Sequence, residues 1–199
     1  EKMAAIIPSE KEYLKTGIYE TWKQRIPWLL LLMVSATFTG KIIGAFEGAL
    51  ASCVVLTSFI PMLMDTAGNS GGQTSVTIIR SLSLGDIEMK DIFRIMWKEF
   101  RVAVVCGITL AAVNFVKMML LDYSAISSDG ESAVYVALVV NITLFVTIII
   151  AKLVGSFLPV AAKKIGFDPA VMASPFITTI VDALALLVYF NVAQTILHI

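Results

Sequence analysis

Long runs of apolar residues, separated by short polar segments, make up most of the chain. Five such runs occupy residues 26–46, 49–79, 102–121, 133–160 and 170–197. A helix needs about 20 apolar residues to cross the hydrocarbon core of a bilayer, so each run predicts a membrane-spanning helix. The second run is longer than a span requires. It contains Pro61 and several glycines, which predicts a kinked or broken helix.

The polar segments between and before these runs predict shorter elements. Residues 1–25 have the amphipathic pattern of a juxtamembrane helix. This helix would either lie at the membrane interface or form the end of a long helix entering from a preceding domain. Residues 81–101 predict a polar connection with a short helix at the membrane surface. One face of the predicted juxtamembrane helix would carry apolar side chains at helical spacing, at Tyr13, Leu14, Ile18 and Trp22.

The composition supports an all-α integral membrane protein. Apolar residues form 58% of the chain and the mean hydropathy is +0.87, whereas soluble domains are typically about 45–50% apolar. The net charge of zero gives no reason to expect a nucleic-acid partner. Cys53 and Cys106 lie in apolar runs, where free cysteines behave as small core residues. The one histidine, His198, lies at the C-terminal end, which argues against a zinc-type cluster of histidine and cysteine.

The distribution of lysine and arginine predicts the orientation of the spans. Twelve of these residues fall on one side of a five-span topology, and the positive-inside rule makes that side cytoplasmic. We therefore expect a multi-pass protein of the cell membrane, with its N-terminus inside and its C-terminus outside. The twelve residues are Lys2, Lys11, Lys15, Lys23, Arg25, Arg80, Lys90, Arg94, Lys98, Arg101, Lys163 and Lys164.

Asp182 is the strongest candidate for a functional residue, because it lies alone near the middle of the fifth run. A carboxylate at that depth opposes insertion by about 2.5–3.5 kcal/mol, so it is expected to face a bundle interior or a watery cavity. Three roles fit it: a carboxylate hydrogen-bonded to a neighbouring helix, a proton relay, or a cation site. Carboxylate, hydroxyl and freed carbonyl oxygens suit hard divalent cations. The residues that share its helical face are Pro175, Thr178, Ala185 and Tyr189.

A second polar cluster interrupts the second run between residues 61 and 73. The glycines there predict either close packing against another helix or backbone carbonyls exposed to a cavity. Asp65 would line that cavity or lie at the level of the lipid headgroups. The candidate lining residues of this segment are Pro61, Asp65, Gly68, Asn69, Gly71, Gly72 and Gln73.

Two further charged residues lie near the predicted spans. Asp168 precedes Asp182 by fourteen residues, which would place the two on nearly the same face if one helix joined them. Asp168 before Pro169 also fits a helix N-cap. Lys152 in the fourth run would extend to the cytoplasmic interface or pair with an acid.

The two polar patterns together resemble the transmembrane domain of the MgtE family of magnesium channels. The matching residues of the second run are Pro61, Gly68, Asn69, Gly71 and Gln73. Those around the fifth run are Asp168, Pro169, Ala170, Pro175, Thr178, Thr179 and Asp182. Ser174 and Thr178 replace residues found in some relatives, and Asp65 is a charge that the family pattern does not require.

The resemblance implies a homodimer of five-helix subunits in a lipid bilayer, with a pore on the two-fold axis lined by the second and fifth helices. It implies that Asp182 binds hydrated Mg²⁺ and that Asp168 contributes to a site nearer the cytoplasm. Ser174 and Thr178 complete the predicted metal-binding set, and Mn²⁺ or Co²⁺ are further candidate ions. It also implies cytoplasmic Mg²⁺-sensing domains that these 199 residues do not contain.

The leading hypothesis is therefore a Mg²⁺-selective channel domain that carries out no enzymatic reaction. The main alternative is a secondary transporter that exchanges Mg²⁺ for protons or Na⁺, since both classes use intramembrane acids and broken helices. An intramembrane aspartyl protease with Asp65 and Asp182 as its dyad is a weaker alternative.

Overall fold

A computed structural model describes residues 13–127, 132–166, 168–169 and 174–198, and for Tyr13, Ser174 and Pro175 it describes the backbone alone. Every regular element within these ranges is helical. The prediction of an all-α multi-pass membrane protein is therefore confirmed. Four helical segments are long and apolar enough to cross a membrane: Ile18–Ala45, Met89–Ser127, Ala133–Lys164 and Phe176–Leu197.

The first of these is helix α1, Ile18–Ala45, which begins eight residues before the predicted span. Residues 18–25 are its first two turns and do not form a separate interfacial helix. The apolar face predicted there is largely solvent-facing, since Ile18 is 91% and Trp22 52% exposed. The preceding residues do not form the predicted α-helix, since Tyr13–Lys15 forms a 3₁₀ helix that ends before α1. Residues 1–12 of the predicted juxtamembrane helix lie outside the described part of the chain.

The second apolar run is broken, as predicted, but the break lies before Pro61. Helix α2, Glu47–Ser52, is followed by a 3₁₀ segment, Val54–Phe59, and then by helix α3, Ile60–Leu84. Pro61 lies in the first turn of α3, where its missing N–H has no intrahelical partner to lose. The expected break at the glycines is wrong, because they lie inside continuous α-helix.

Helix α3 differs from the four apolar segments in composition. Because α3 contains several glycines and polar side chains, its hydropathy alone does not identify it as a membrane span. It nevertheless packs along both α6, Ala133–Lys164, and α7, Ser174–Leu197. A fifth span therefore stays a prediction that rests on this packing.

Helix α4, Ile92–Lys117, begins ten residues before the predicted third span. The turn before it contains Gly85, whose φ of 77° is readily adopted by glycine, and a capping box between Glu88 and Asp91. The short helix predicted within residues 81–101 corresponds to a 3₁₀ helix, Met89–Asp91. Most of the predicted polar connection is instead the end of α3 and the start of α4. A π-helical segment, Met118–Asp122, and helix α5, Tyr123–Ser127, continue from its end.

The core of the subunit is the mutual packing of α3, α6 and α7. Helix α4 packs on α6, and α1 packs on α7. The largest fully buried side chains include Tyr189 and Phe190 of α7, and the ring of Phe190 stacks on Phe46 at 4.6 Å between centroids. Cys53 is fully buried, as predicted for a core thiol. The outer faces of α1 and α4 carry many exposed apolar side chains, as expected for lipid-facing surfaces.

Candidate cation site

Asp182 lies on α7 with its carboxylate against the backbone of α3. A methyl group added at Gly68 would lie 3.6 Å from Asp182 Oδ1 and 3.1 Å from Thr178 Cγ2. Gly68 thus allows a carboxylate and, one turn earlier, a threonine side chain to approach another helix closely. Asp65 lies one turn before Gly68 on the same helix. The structure therefore brings Asp182 and Thr178 together with Gly68 of α3.

The polar segment of α3 has two faces with different surroundings. One face is exposed and carries one predicted lining residue on each successive turn: Pro61, Asp65, Asn69 and Gln73. The other lining candidates of this helix, Gly68, Gly71 and Gly72, are buried. The exposed face provides carboxylate and amide oxygens, which are suitable ligands for a hard cation or for the water around it.

Close helix packing accounts for the position of Gly71. A methyl group there would lie 3.0 Å from the carbonyl oxygen of Ala151 in α6 and 3.1 Å from Ile177 Cγ2 in α7. Gly155 of α6 in turn lies directly against the Gly71 backbone. These glycines bring the backbones of α3 and α6 together and let the side chain of Ile177 in α7 pack against α3, the behaviour expected of small residues in membranes.

The other predicted site residues of the fifth run lie in different surroundings. Ala185 is 2% exposed and packs in a small core cluster with Ala67 of α3 and Ala151 of α6. Asp168 is exposed and lies outside helical backbone, ahead of α7. The expected alignment of Asp168 with Asp182 assumed one continuous helix between the two acids. The backbone at Asp168 is not helical. The side chains of Ser174 and Pro175 lie outside the described residues.

Tyr189, which shares the predicted face of Asp182, has a structural contact. Its hydroxyl donates a hydrogen bond of 2.8 Å to the carbonyl oxygen of Leu56 in the 3₁₀ segment. That bond satisfies a backbone acceptor where the second run departs from α-helix.

A cavity of about 240 Å³ opens beside the exposed face of α3. Cys106 and Leu110 of α4 form its apolar side. Its polar lining is a carboxylate, an ammonium, two amides and two hydroxyls, from Asp65, Lys152, Asn69, Gln73, Thr66 and Ser70.

The sequence left two alternatives for Lys152, an extension to the interface and a pair with an acid. The extension to the interface is wrong, because Lys152 is only 7% exposed. Nζ donates to Thr74 Oγ1 at 3.3 Å, and Thr74 Oγ1 donates to Glu99 Oε2 at 3.1 Å. The available signal for Glu99 was its register, since at helical spacing it shares a face of α4 with the buried residues Ala103 and Asn114.

Within the described residues, no group of three or more His, Cys, Asp or Glu side chains is close enough to hold a metal ion. A cation at Asp182 would therefore need oxygen ligands of other kinds, such as hydroxyls, amides, water or groups from a second subunit.

The chain also matches a known protein family. The profile of MgtE, described as a divalent cation transporter, matches residues 60–192, which include α3 and most of α7. The chain belongs to the MgtE family. This confirms the resemblance and, because MgtE proteins are transporters, removes the protease interpretation.

The curated MgtE relatives are longer than this chain. It is 34% identical over 187 residues to the magnesium transporter MgtE of Bacillus subtilis, covering 92% of the chain and 39% of that protein. Identity to the magnesium transporter MgtE of Thermus thermophilus is 31% over 197 residues, covering 99% and 42%. The chain thus spans about two-fifths of the length of the curated MgtE relatives it matches.

Proposed function

We propose that this chain is the pore domain of a Mg²⁺-selective channel, which conducts hydrated Mg²⁺ into the cytoplasm through a homodimeric pore. The observation that carries the proposal is the placement of Asp182 against Gly68 of α3. On α3, the adjoining exposed face carries Asp65, Asn69 and Gln73 within an otherwise apolar protein. An intramembrane acid beside a polar helix face is a typical feature of an ion pathway.

A second copy of the chain is the proposed cover for this polar face. Exposed carboxylate and amide groups are unfavourable against hydrocarbon, so the face needs a water-filled path or a protein partner. A two-fold axis along α3 and α7 would provide both, because each subunit would present the same polar face to a central pore. Two copies of Asp182 would then supply up to two negative charges.

The chemistry of Mg²⁺ favours a hydrated ion at this site. Mg²⁺ dehydrates reluctantly and holds six oxygens at about 2.0–2.1 Å. Carboxylates and amides around a narrow axis accept hydrogen bonds from its water shell without displacing it. The negative charge also excludes anions. Mn²⁺ and Co²⁺ are chemically close enough to be the other candidate cargo ions.

The remaining roles follow from the proposed topology. The N-terminus lies in the cytoplasm and the C-terminus outside, according to the distribution of basic residues. Asp168, ahead of α7, contributes to a second cation site at the cytoplasmic end, together with Ser174. The longer relatives are consistent with Mg²⁺-sensing domains in the cytoplasm, outside these 199 residues.

The test is Mg²⁺ flux into liposomes at clamped voltage, without a proton or Na⁺ gradient. We expect passive flux that Asp182→Asn abolishes or makes unselective. Asp86→Asn, a change of an exposed acid in the turn between α3 and α4, is the matched control and should leave flux unchanged. Flux that requires an imposed gradient would identify a coupled transporter instead. Flux that is insensitive to Asp182→Asn would contradict the proposed site.

A further inference from the structure

A hydrogen-bonded chain of charged and hydroxyl groups crosses three helices beside the proposed pathway. Lys152 of α6 donates to Thr74 of α3 at 3.3 Å, and Thr74 donates to Glu99 of α4 at 3.1 Å. Lys152 and Thr74 are 7% and 3% exposed. The direction of donation is consistent throughout, because an ammonium has only donors, a hydroxyl both donates and accepts, and a carboxylate accepts.

This arrangement compensates the charge of a buried ammonium. An unpaired charge in the membrane interior is strongly unfavourable, and a partner of opposite sign reduces that penalty. Glu99 provides the opposite sign, with Thr74 Oγ1 between the two groups. The lysine and the glutamate therefore form an ion pair bridged by a hydroxyl.

Lys152 also lines a cavity together with a second carboxylate. This is the cavity of about 240 Å³ whose other charged group is Asp65, on the exposed face of α3. An ammonium in the wall of a cation pathway repels a divalent cation, and electrostatic interactions are stronger in the interior than in water. The effective charge of this cavity thus depends on how far Glu99 neutralises Lys152.

We propose that Glu99, a residue outside the cavity, sets the affinity of the Asp65 cavity for divalent cations by neutralising Lys152. In this arrangement Glu99 is a positioning residue that acts through Thr74 and Lys152, while Asp65 faces the cation. With the bridge intact, Asp65 acts as a net negative charge. Without Glu99, the ammonium of Lys152 cancels Asp65 and the cavity holds a cation poorly. The inference rests on the proposed cation pathway along α3.

A set of charge variants tests this inference through the Mg²⁺ concentration at half-maximal flux. We expect Glu99→Gln to raise that concentration by about tenfold and Lys152→Met to lower it by a similar factor. The double variant, which removes both charges, should return it to within about threefold of the original value, well inside the tenfold single-variant shifts. A merely structural role would lower stability and maximal flux in all three variants without this opposite and compensating change in affinity.

Thr74→Val provides a test that leaves both charges in place. Valine has nearly the shape of threonine but has no hydroxyl, so the bridge is lost with little change in packing. The expected result is a weaker Mg²⁺ affinity, in the same direction as for Glu99→Gln, whereas Thr74→Ser should retain the original value. Equal affinities in Thr74→Val and Thr74→Ser would overturn the inference.

A binding measurement separates this inference from the proposed function. Mg²⁺-dependent stabilisation of the purified protein reports binding without transport, because a ligand that binds only the folded state raises its stability. If flux does not depend on Asp182, the proposed function fails. The inference about Glu99 would still stand if Glu99→Gln weakened Mg²⁺ binding and Lys152→Met strengthened it. If flux depends on Asp182 but neither measurement follows the charge pattern, the inference about Glu99 is wrong.

Discussion

Gly155 of α6 lies against the backbone of Gly71 in α3, in a contact that leaves no space for a Cβ atom at position 155. On α3 the contact lies one turn beyond Gly68, whose backbone faces Asp182. The position of the proposed site therefore depends on how closely these two helices pack.

Gly155→Ala is expected to destabilise the protein by about 1–3 kcal/mol, because a methyl group inserted into a well-packed contact displaces the surrounding backbone. The measurement is the free energy of unfolding in mixed detergent micelles. Gly40→Ala in α1 is the control, since a methyl group there meets nothing within 4 Å. Equal stability of the two variants would contradict the Gly71 contact.

Hydropathy predicted the membrane-spanning segments better than it predicted the ends of their helices. Helix α1 begins at Ile18 and α4 at Ile92, each well before its apolar run. Apolar length reflects the thickness of the bilayer, whereas polar residues with good helix propensity extend the same helix into water. Helix α3 stops at Gly85, whose positive φ suits glycine.

The same distinction applies to the candidate site. Spacing along α7 predicted that Thr178 and Asp182 share a face, because periodicity is a property of a single element. Ala185 and Tyr189, which were expected on that same face, are buried in the subunit core instead. The contact of Gly68 with Thr178 and Asp182 also depends on the relative register of α3 and α7. The bridge from Lys152 to Glu99 depends on the relative register of three helices, which no single periodic pattern contains.

Tyr189→Phe should destabilise the protein by about 1–3 kcal/mol, because it leaves the carbonyl oxygen of Leu56 buried without the hydrogen bond that Tyr189 donates at 2.8 Å. Tyr135→Phe is the control, since Tyr135 is 54% exposed. Thermal unfolding in detergent distinguishes the two. If both variants unfold at the same temperature, the bond to Leu56 contributes nothing measurable.

Asn114 and Asn141 are expected to be energetically coupled. Asn114 Nδ2 donates to Asn141 Oδ1 at 3.0 Å between α4 and α6, and both side chains are buried. Interhelical hydrogen bonds in membranes contribute about 0.6 kcal/mol on average and up to about 1.7 kcal/mol. A double-mutant cycle with Asn114→Leu and Asn141→Leu should return a coupling energy in that range. Additive effects would indicate that the pair does not stabilise the α4–α6 contact.

Gly68→Ala tests whether the approach of α3 to Asp182 matters for transport. The added methyl group would lie 3.1 Å from Thr178 Cγ2, so α7 or the threonine must shift. We expect Mg²⁺ flux in liposomes to fall by about tenfold, which corresponds to about 1.4 kcal/mol. Thr178→Ser removes Cγ2 but keeps the hydroxyl, so the double variant Gly68→Ala with Thr178→Ser should recover most of the flux.

Gly71→Ala is the matched control for this rescue. Its methyl group would lie 3.0 Å from the carbonyl oxygen of Ala151, a backbone atom that Thr178→Ser does not move. Thr178→Ser should therefore leave the defect of Gly71→Ala unchanged. If Thr178→Ser restores flux in both Gly68→Ala and Gly71→Ala, then serine at position 178 loosens the helix packing generally. Recovery in neither would mean that Thr178 does not limit the approach of α3 to Asp182.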